Sequence, residues 1–210
     1  SGIVYGVRDV GGIAGKNEGS ILQCNSEVSG HCDYNLGGIA GDNLGEIGNC
    51  TATIDFRGEY FVGGIAGRNE GNILDSSSKG EIEGDRRLGG ISGSNTGNIT
   101  RCETVIDIST DDDYDSNFLG GLCGENAGSI SSCTVTSGNL SGAENIGGLV
   151  GRNEGELKNS EYSGYLQGRS YVGGVVGEST GTEINCKMSG TIGAYRHTVD
   201  EMYSRYIGGI

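Results

Sequence analysis

The sequence predicts an all-β fold, a parallel β-solenoid (β-helix) in which a coil of about 26 residues is repeated. Apolar and polar residues alternate between glycines, which is typical of a strand with one buried face. Glycine supplies 43 of the 210 residues, and each would destabilise a helix interior by about 1 kcal/mol. The pattern Gly-Gly-aliphatic-small-Gly recurs in phase, beginning at Gly11, Gly37, Gly63, Gly89, Gly120, Gly147 and Gly173.

The second repeat, residues 36–62, begins with short apolar and turn segments. Leu36 to Gly41 is apolar and bounded by glycine. Residues 42–45 read as a turn, because Asn43 and Gly45 tolerate positive φ. Ile47 then begins a second segment.

The rest of this repeat predicts a strand. Cys50, Ala52, Ile54 and Phe56 alternate with polar residues, and Gly58 is predicted to turn the chain. Each coil then holds two or three strands, and about 7–8 coils stacked at about 4.8 Å make a rod of roughly 35–40 Å. We expect a right-handed coil, as in other parallel β crossovers.

Stacked coils place equivalent side chains over one another. The aliphatic residue of each motif then forms a continuous apolar row. An asparagine ladder can pass amide hydrogen bonds from coil to coil and satisfy buried turn groups. The predicted ladder residues are Asn17, Asn43, Asn69, Asn95, Asn126 and Asn153, with Ser179 in the seventh repeat.

A second row follows twelve residues after the second glycine of each motif. It contains Cys24, Cys50, Ser76, Cys102, Cys133, Ser160 and Cys186. A position that accepts cysteine or serine indicates a small inward-facing packing site, so we expect a ladder of free thiols rather than a zinc site. The alternative is a disulfide between neighbouring coils, such as Cys24 with Cys50, which requires a specific Cβ geometry. Cys32 and Cys123 are out of phase with this row, and they are the expected exceptions to the free-thiol state.

The whole chain, residues 1–210, reads as one repeat array whose first and last residues fall within a repeat. We therefore expect the parent chain to continue on both sides. Two motif spacings are longer than the others, 31 and 35 residues, and they predict loop insertions near residues 109–117 and 194–205.

The first insertion is acidic. Its oxygen-bearing residues have the every-second-residue spacing of a calcium loop, although the glycine and closing glutamate of an EF-hand are missing. The alternatives are an acidic surface loop and a calcium site; we expect no other cofactor. The candidate ligands are Asp111, Asp113, Asp115 and Asn117.

The second insertion concentrates aromatic and basic side chains, which are favoured at contact hot spots. It is a candidate binding surface, or a loop that packs on the solenoid or on the next domain. Its residues are Tyr195, Arg196, His197, Tyr203, Arg205 and Tyr206.

The composition limits the partners. The formal net charge of −14 disfavours nucleic acid and anionic membranes, which would repel the chain. No stretch approaches the ~20 apolar residues of a membrane span, so we expect no membrane insertion in this segment. Only His31 and His197 are present, and neither lies in a zinc-protease or nucleophile signature, so we expect no enzyme activity here.

The motif resembles the GLUG repeat over essentially the whole chain. Residues Gly120 to Ile130 and Gly63 to Ile73 show it in full, whereas the seventh copy departs from it at Ser179 and Glu183. The resemblance implies a bacterial cell-surface or secreted protein, because such repeats occur in adhesin-like proteins and in non-catalytic regions of immunoglobulin-A-specific metallopeptidases. It implies no catalytic residue.

The resulting hypothesis is a non-catalytic, adhesive or structural segment that acts as a rigid stalk or binding surface. Its partners would be other domains of the same chain, or a host protein or glycan. One alternative is a substrate-positioning region of a secreted immunoglobulin-A-specific metallopeptidase with its catalytic domain elsewhere. Another is a polysaccharide-active β-helix enzyme that uses paired carboxylates.

Overall fold

The computed structural model describes residues 1–110, 118–142, 144–194 and 205–208. Within these residues there is no helix, and every paired strand is parallel to its neighbour. The strands form one long sheet of 12 strands and two short sheets of 7 strands each. The predicted parallel β-solenoid with a repeat of about 26 residues is confirmed.

Sheet A contains the longest strands and forms one side of the solenoid. Its strands are β1 (Gly2–Gly11), β4 (Asn25–Gly37), β7 (Thr51–Gly63), β10 (Ser77–Gly89), β13 (Glu103–Thr110), β14 (Leu119–Gly120), β17 (Thr134–Ser141), β18 (Glu144–Gly147), β21 (Glu161–Gly168), β22 (Ser170–Gly173), β25 (Lys187–Ala194) and β26 (Arg205–Gly208).

Sheets B and C are built from short strands. Sheet B contains β2 (Ala14–Asn17), β5 (Ala40–Asn43), β8 (Ala66–Asn69), β11 (Ser92–Asn95), β15 (Cys123–Asn126), β19 (Val150–Asn153) and β23 (Val176–Ser179). Sheet C contains β3 (Ser20–Leu22), β6 (Glu46–Gly48), β9 (Asn72–Leu74), β12 (Asn98–Thr100), β16 (Ser129–Ser131), β20 (Glu156–Lys158) and β24 (Thr182–Ile184).

Each coil therefore has three sides. The chain leaves sheet A at the Gly-Gly pair, crosses sheets B and C, and returns to sheet A one coil further on. Neighbouring coils are in register, so that Leu36 pairs with Val62, Asn43 with Asn69 and Ile47 with Ile73. The register explains why residue identity repeats along the sequence.

The prediction that Gly58 turns the chain is wrong. Strand β7 continues through Gly58 to Gly63. A Cβ at Gly58 would lie 2.7 Å from the Val62 side chain and 2.9 Å from the carbonyl oxygen of Cys32. This glycine therefore marks close packing inside the coil, and the chain turns further on, at the left-handed Phe61 and the following Gly-Gly pair.

The Gly-Gly pair allows the backbone of one coil to approach the next. A Cβ at Gly63 would lie 2.7 Å from the Cα of Ser92 in the following coil. No side chain fits there without moving backbone, so the regular glycines follow from coil packing.

Two corners in most coils use a left-handed backbone at residues other than glycine. The corner between sheets C and A has φ of 49–57° in all seven coils. Its residues are Gln23, Asn49, Asp75, Arg101, Ser132, Asn159 and Asn185. The second, just before the Gly-Gly pair, has φ of 52–60° at Asp9, Asn35, Phe61, Arg87, Asn145 and Tyr171.

The core is a set of apolar rows along the axis. In the aliphatic row of the motif, Ile39, Ile65, Ile91, Leu122 and Leu149 have no exposed surface. Ile13, in the first coil, is 46% exposed because no described coil covers it. Among the described residues, no helix has the length and apolar character that would let it span a membrane.

Candidate functional site

A continuous asparagine ladder runs along the corner between sheets B and C. Asn17, Asn43, Asn69, Asn95, Asn126 and Asn153 follow one another in adjacent coils. Each Nδ2 donates to the Oδ1 of the next asparagine at 2.7–2.8 Å. All the ladder side chains after Asn17 are completely buried.

The same amides satisfy the turns of the coils. Asn69 Nδ2 also donates to the carbonyl of Gly71, at 3.2 Å. The Oδ1 of Asn126 accepts from the backbone N–H of Gly128 at 3.2 Å. The ladder amides therefore hold adjacent coils together and also stabilise the turn within each coil.

Glu183 ends the ladder at the seventh coil. Asn153 Nδ2 donates to Glu183 Oε1 at 2.6 Å, and the hydroxyl of Ser179 donates to the same oxygen at 2.6 Å. The two departures of the seventh repeat from the motif are thus one feature, since Glu183 supplies the acceptor that Ser179 cannot. Strand pairing is unaffected, and Leu157 still pairs with Glu183.

The cysteine and serine row forms hydrogen bonds rather than only packing. The backbone N–H of Cys50 donates to Ser76 Oγ at 3.1 Å, and that of Cys133 to Ser160 Oγ at 3.1 Å. Where the next residue is cysteine, its sulfur accepts instead: Cys24 N–H donates to Cys50 Sγ at 3.4 Å. A thiol and a hydroxyl are interchangeable here because both can accept this bond and donate to a carbonyl two residues earlier.

All seven cysteines are free in the structure, including the two that are out of phase. Cys32 and Cys123 are buried, and each thiol donates to a backbone carbonyl two residues later, at 3.0 Å. Burial raises the pKa of the Cys123 thiol far above its ordinary range. The pKa of Cys102 is also raised, by its hydrogen bond to Cys133 and by burial, so these groups are neutral thiols at physiological pH.

A stacked row of aromatic and basic side chains lies on the sheet A side near the Gly-Gly bend. Arg8, Tyr34, Tyr60 and Arg86 are register partners in four consecutive coils. The two tyrosine rings are parallel, 5.0 Å apart, and the guanidinium groups cover their outer faces at 5.0 and 5.6 Å. The ring faces are therefore occupied within the protein.

A second stack lies beside it. The Arg87 guanidinium lies between the rings of Phe61 and Phe118, at 5.1 and 5.5 Å from their centroids. Glu125 accepts from Arg87 Nε at 2.6 Å and lies 3.6 Å from Arg152, which covers Phe118. This network joins consecutive coils and anchors Phe118, the first described residue after the acidic insertion.

Sheet B carries a row of charged side chains whose sign alternates on either side of the uncharged Ser94. Register partners Asp42 and Arg68 lie 3.3 Å apart, and Arg152 lies 3.8 Å from Glu178. Asp42 is largely buried, and this burial raises the pKa of its carboxyl despite the attraction of Arg68. Charge pairing thus adds to register specificity along this side.

A shallow cavity of about 250 Å³ lies on the outer face of sheet A. Asp55, Glu81 and Asp107, stacked in register, line it, and Arg57 forms an ion pair with Glu83 at 3.0 Å beside them. Across the described ranges, no group of three or more His, Cys, Asp or Glu side chains is arranged to hold a metal ion.

Most of the predicted loop residues fall outside the described residues. The calcium candidates Asp111, Asp113, Asp115 and Asn117 do so entirely, as do the surface candidates Tyr195, Arg196, His197 and Tyr203. The backbones of Arg205 and Tyr206 lie in β26, which pairs with β22. Among the described residues, the structure brings together the predicted asparagine ladder and the predicted row of cysteine and serine.

Sequence reasoning missed the stacked Arg–Tyr–Tyr–Arg row. The signal was present, because these four residues are spaced by 26 and align when the repeats are superimposed. They differ in chemistry, so the row is not visible as a repeated identity.

The fold and its ladders define this chain as a parallel β-solenoid repeat protein. No family model matches the chain, and neither the curated proteins nor the solved structures contain a significant match.

Proposed function

We propose that this chain is a non-catalytic, rigid spacer of a larger bacterial cell-surface or secreted protein, with its lateral faces available for contact with a host protein or glycan. The observation that supports the spacer role most is the unbroken asparagine ladder, which links every coil from Asn17 to Glu183. The resemblance to the GLUG repeat supports the extracellular setting.

Stiffness follows from this geometry. Sheet A stacks eight successive coils from β1 to β25, which gives an axial length of roughly 34 Å at about 4.8 Å per step. Bending the rod would stretch inter-coil hydrogen bonds on one side, and three sheets resist bending in different directions. Flexible chains of similar length lack such constraints.

The charge of the chain fits an exposed, projecting rod. A formal net charge of −14 keeps a long particle soluble and limits association between copies. The polar outer face of sheet A, with Thr51, Thr53 and Lys79 exposed or half-buried, suits lateral contact with a polar partner.

A coil-deletion experiment tests the spacer. Fluorophores are attached at the two ends of the chain, and residues 37–88 are deleted, which removes two whole coils and joins Leu36 to Gly89. The rod model expects the end-to-end distance to fall by about 10 Å. A Gly-Ser linker of the same length, shortened equally, serves as the control.

Unchanged energy transfer after the deletion, or a broad distance distribution like that of the linker, would refute a rigid spacer. Contact by the lateral faces is tested separately by binding of the intact chain to a glycan array and to host surface proteins. Absence of binding there would remove the adhesive part of the proposal and leave the spacer part.

A further inference from the structure

The cysteine and serine row has an order that packing alone does not require. Cysteines occupy adjacent coils in two pairs, Cys24 with Cys50 and Cys102 with Cys133. Ser76 separates the pairs, and Ser160 separates the second pair from Cys186. Each paired cysteine therefore has one cysteine neighbour along the row.

The two pairs share one geometry. The backbone N–H of the first cysteine donates to the sulfur of the second at 3.4 Å, in both Cys24–Cys50 and Cys102–Cys133. In-register parallel coils place equivalent Cα atoms about 4.8 Å apart, within the usual disulfide range of about 4.4–6.8 Å. All four thiols donate to the backbone carbonyl two residues earlier, so the side chains of each pair extend in the same direction.

We propose that Cys24–Cys50 and Cys102–Cys133 are two oxidisable pairs, which form inter-coil disulfides when a disulfide oxidant is present. For each pair, two thiols lose two protons and two electrons, and one S–S bond forms. The oxidant, glutathione disulfide or a protein disulfide, is reduced to two thiols in the same exchange. The proposal rests on the row geometry and not on the spacer function.

The order of reaction follows from exposure. Cys24 is half-buried, whereas Cys50, Cys102 and Cys133 are buried. The oxidant first forms a mixed disulfide at Cys24, and the neighbouring Cys50 then displaces the leaving thiol. The second pair reacts more slowly, because its corner must open before an oxidant can enter.

Ser76 insulates the two pairs from each other. It keeps the row's hydrogen bonds, since its hydroxyl accepts from Cys50 N–H and donates to the carbonyl of Leu74 at 2.8 Å. Without a sulfur at this position, Cys50 cannot react with Cys102 through a shared neighbour. The bonds would therefore join specified coils, and the solenoid would be held at two points along its length.

Peptide mapping of the intact chain tests the proposal. The fully reduced protein, unfolded without further reductant, should titrate all seven thiols. After native incubation with glutathione disulfide, mass spectrometry should find Cys24 linked to Cys50 first and Cys102 linked to Cys133 later. The melting temperature should rise, and dithiothreitol should reverse the rise.

Serine variants supply matched controls, because serine already occupies this row. Cys50→Ser should lose the first crosslink and keep the second, and Cys133→Ser should do the reverse. Ser76→Cys should remove the insulation, and the introduced thiol should form alternative linkages to Cys50 and to Cys102. Recovery of the native fold with no crosslink at either pair, or with crosslinks that scramble in the wild type, would overturn the proposal.

Discussion

The carboxylate of Glu183 accepts from Asn153, at 2.6 Å, the hydrogen bond that an asparagine Oδ1 accepts in each of the five preceding steps. A residue of the adjacent strand in sheet C, β24, thus replaces a missing ladder member. Because Ser179 donates to the same oxygen, the two substitutions form one coupled unit.

This coupling predicts a double-mutant rescue. Glu183→Ile alone should destabilise the last coils by about 1–3 kcal/mol, since Asn153 Nδ2 and the Ser179 hydroxyl lose their acceptor. Adding Ser179→Asn restores the ladder pattern of the earlier repeats and should recover most of the loss. Hydrogen exchange of amides in β19 and β23 measures the effect, and simple additivity of the two substitutions would contradict the coupling.

A substitution in the buried asparagine ladder should destabilise the protein more than a substitution in an exposed asparagine pair. Asn69→Ala leaves the Asn43 amide and the Asn95 Oδ1 without their ladder partner in a fully buried row, so we expect a loss of about 2–3 kcal/mol. Asn98→Ala removes an exposed asparagine pair, Asn98 to Asn72, and should change stability by less than about 0.5 kcal/mol. Urea denaturation compares the two, and equal effects would show that the buried ladder is not special.

Replacing the stacked guanidinium should weaken the rod locally. Arg87→Lys keeps the charge but loses the planar group between Phe61 and Phe118, with an expected loss of about 1–2 kcal/mol. Arg57→Lys is the matched control, because that side chain is exposed and its ion pair with Glu83 lies at the surface. Thermal melting distinguishes them, and a harmless Arg87→Lys would mean that the stack carries little energy.

Close coil packing predicts that the Gly-Gly position tolerates no side chain. Gly63→Ala places a methyl group 2.7 Å from the Cα of Ser92, and we expect a loss of about 1–3 kcal/mol. Gly19→Ala, where a Cβ meets nothing within 4 Å, is the control. Comparable melting temperatures for the two variants would disprove the packing argument.

The buried carboxyl of Asp42 predicts a pH effect of defined sign. Its pKa is raised in the folded state, mainly by burial, so ionisation opposes folding. The protonated carboxyl of Asp42 therefore stabilises the fold fully below the pKa that this group has in the unfolded chain. This stabilisation is lost as the pH rises through the higher pKa of the folded state. Asp42→Asn should therefore raise stability at neutral pH, and this advantage should disappear as the pH falls below about 4. A stability difference independent of pH would count against the assignment.

The repeat in the sequence was sufficient to predict the parallel coil, because in-register stacking forces equivalent residues into equivalent contacts. The motif aligned Ile39 with Ile65 and Asn43 with Asn69, and the structure pairs their coils in this register. The position of the turn was less predictable. Gly58 resembles a turn residue in sequence, but it is a packing residue inside a strand because Val62 and the preceding coil fill its side-chain space.

The hydrogen bonds of the side-chain rows could not be predicted from the sequence of one repeat, because they join residues of different coils. The cysteine and serine row was predicted as a packing site, whereas its atoms exchange hydrogen bonds with the next coil. The role of Glu183 follows from its contact with Asn153, which lies 30 residues earlier in the sequence. The stacked row of arginine and tyrosine could be recognised only from the strand register, because no single residue type is shared by its four members. These are Arg8, Tyr34, Tyr60 and Arg86.

The left-handed corners have a consequence for how the chain folds. Residues such as Phe61 and Arg101 hold a positive φ, which is unfavourable for residues that carry a bulky side chain. The first coil to form has no neighbour to stabilise these corners, whereas every later coil aligns on an existing template. Folding should therefore have a slow nucleation step followed by rapid growth of the array from coil to coil.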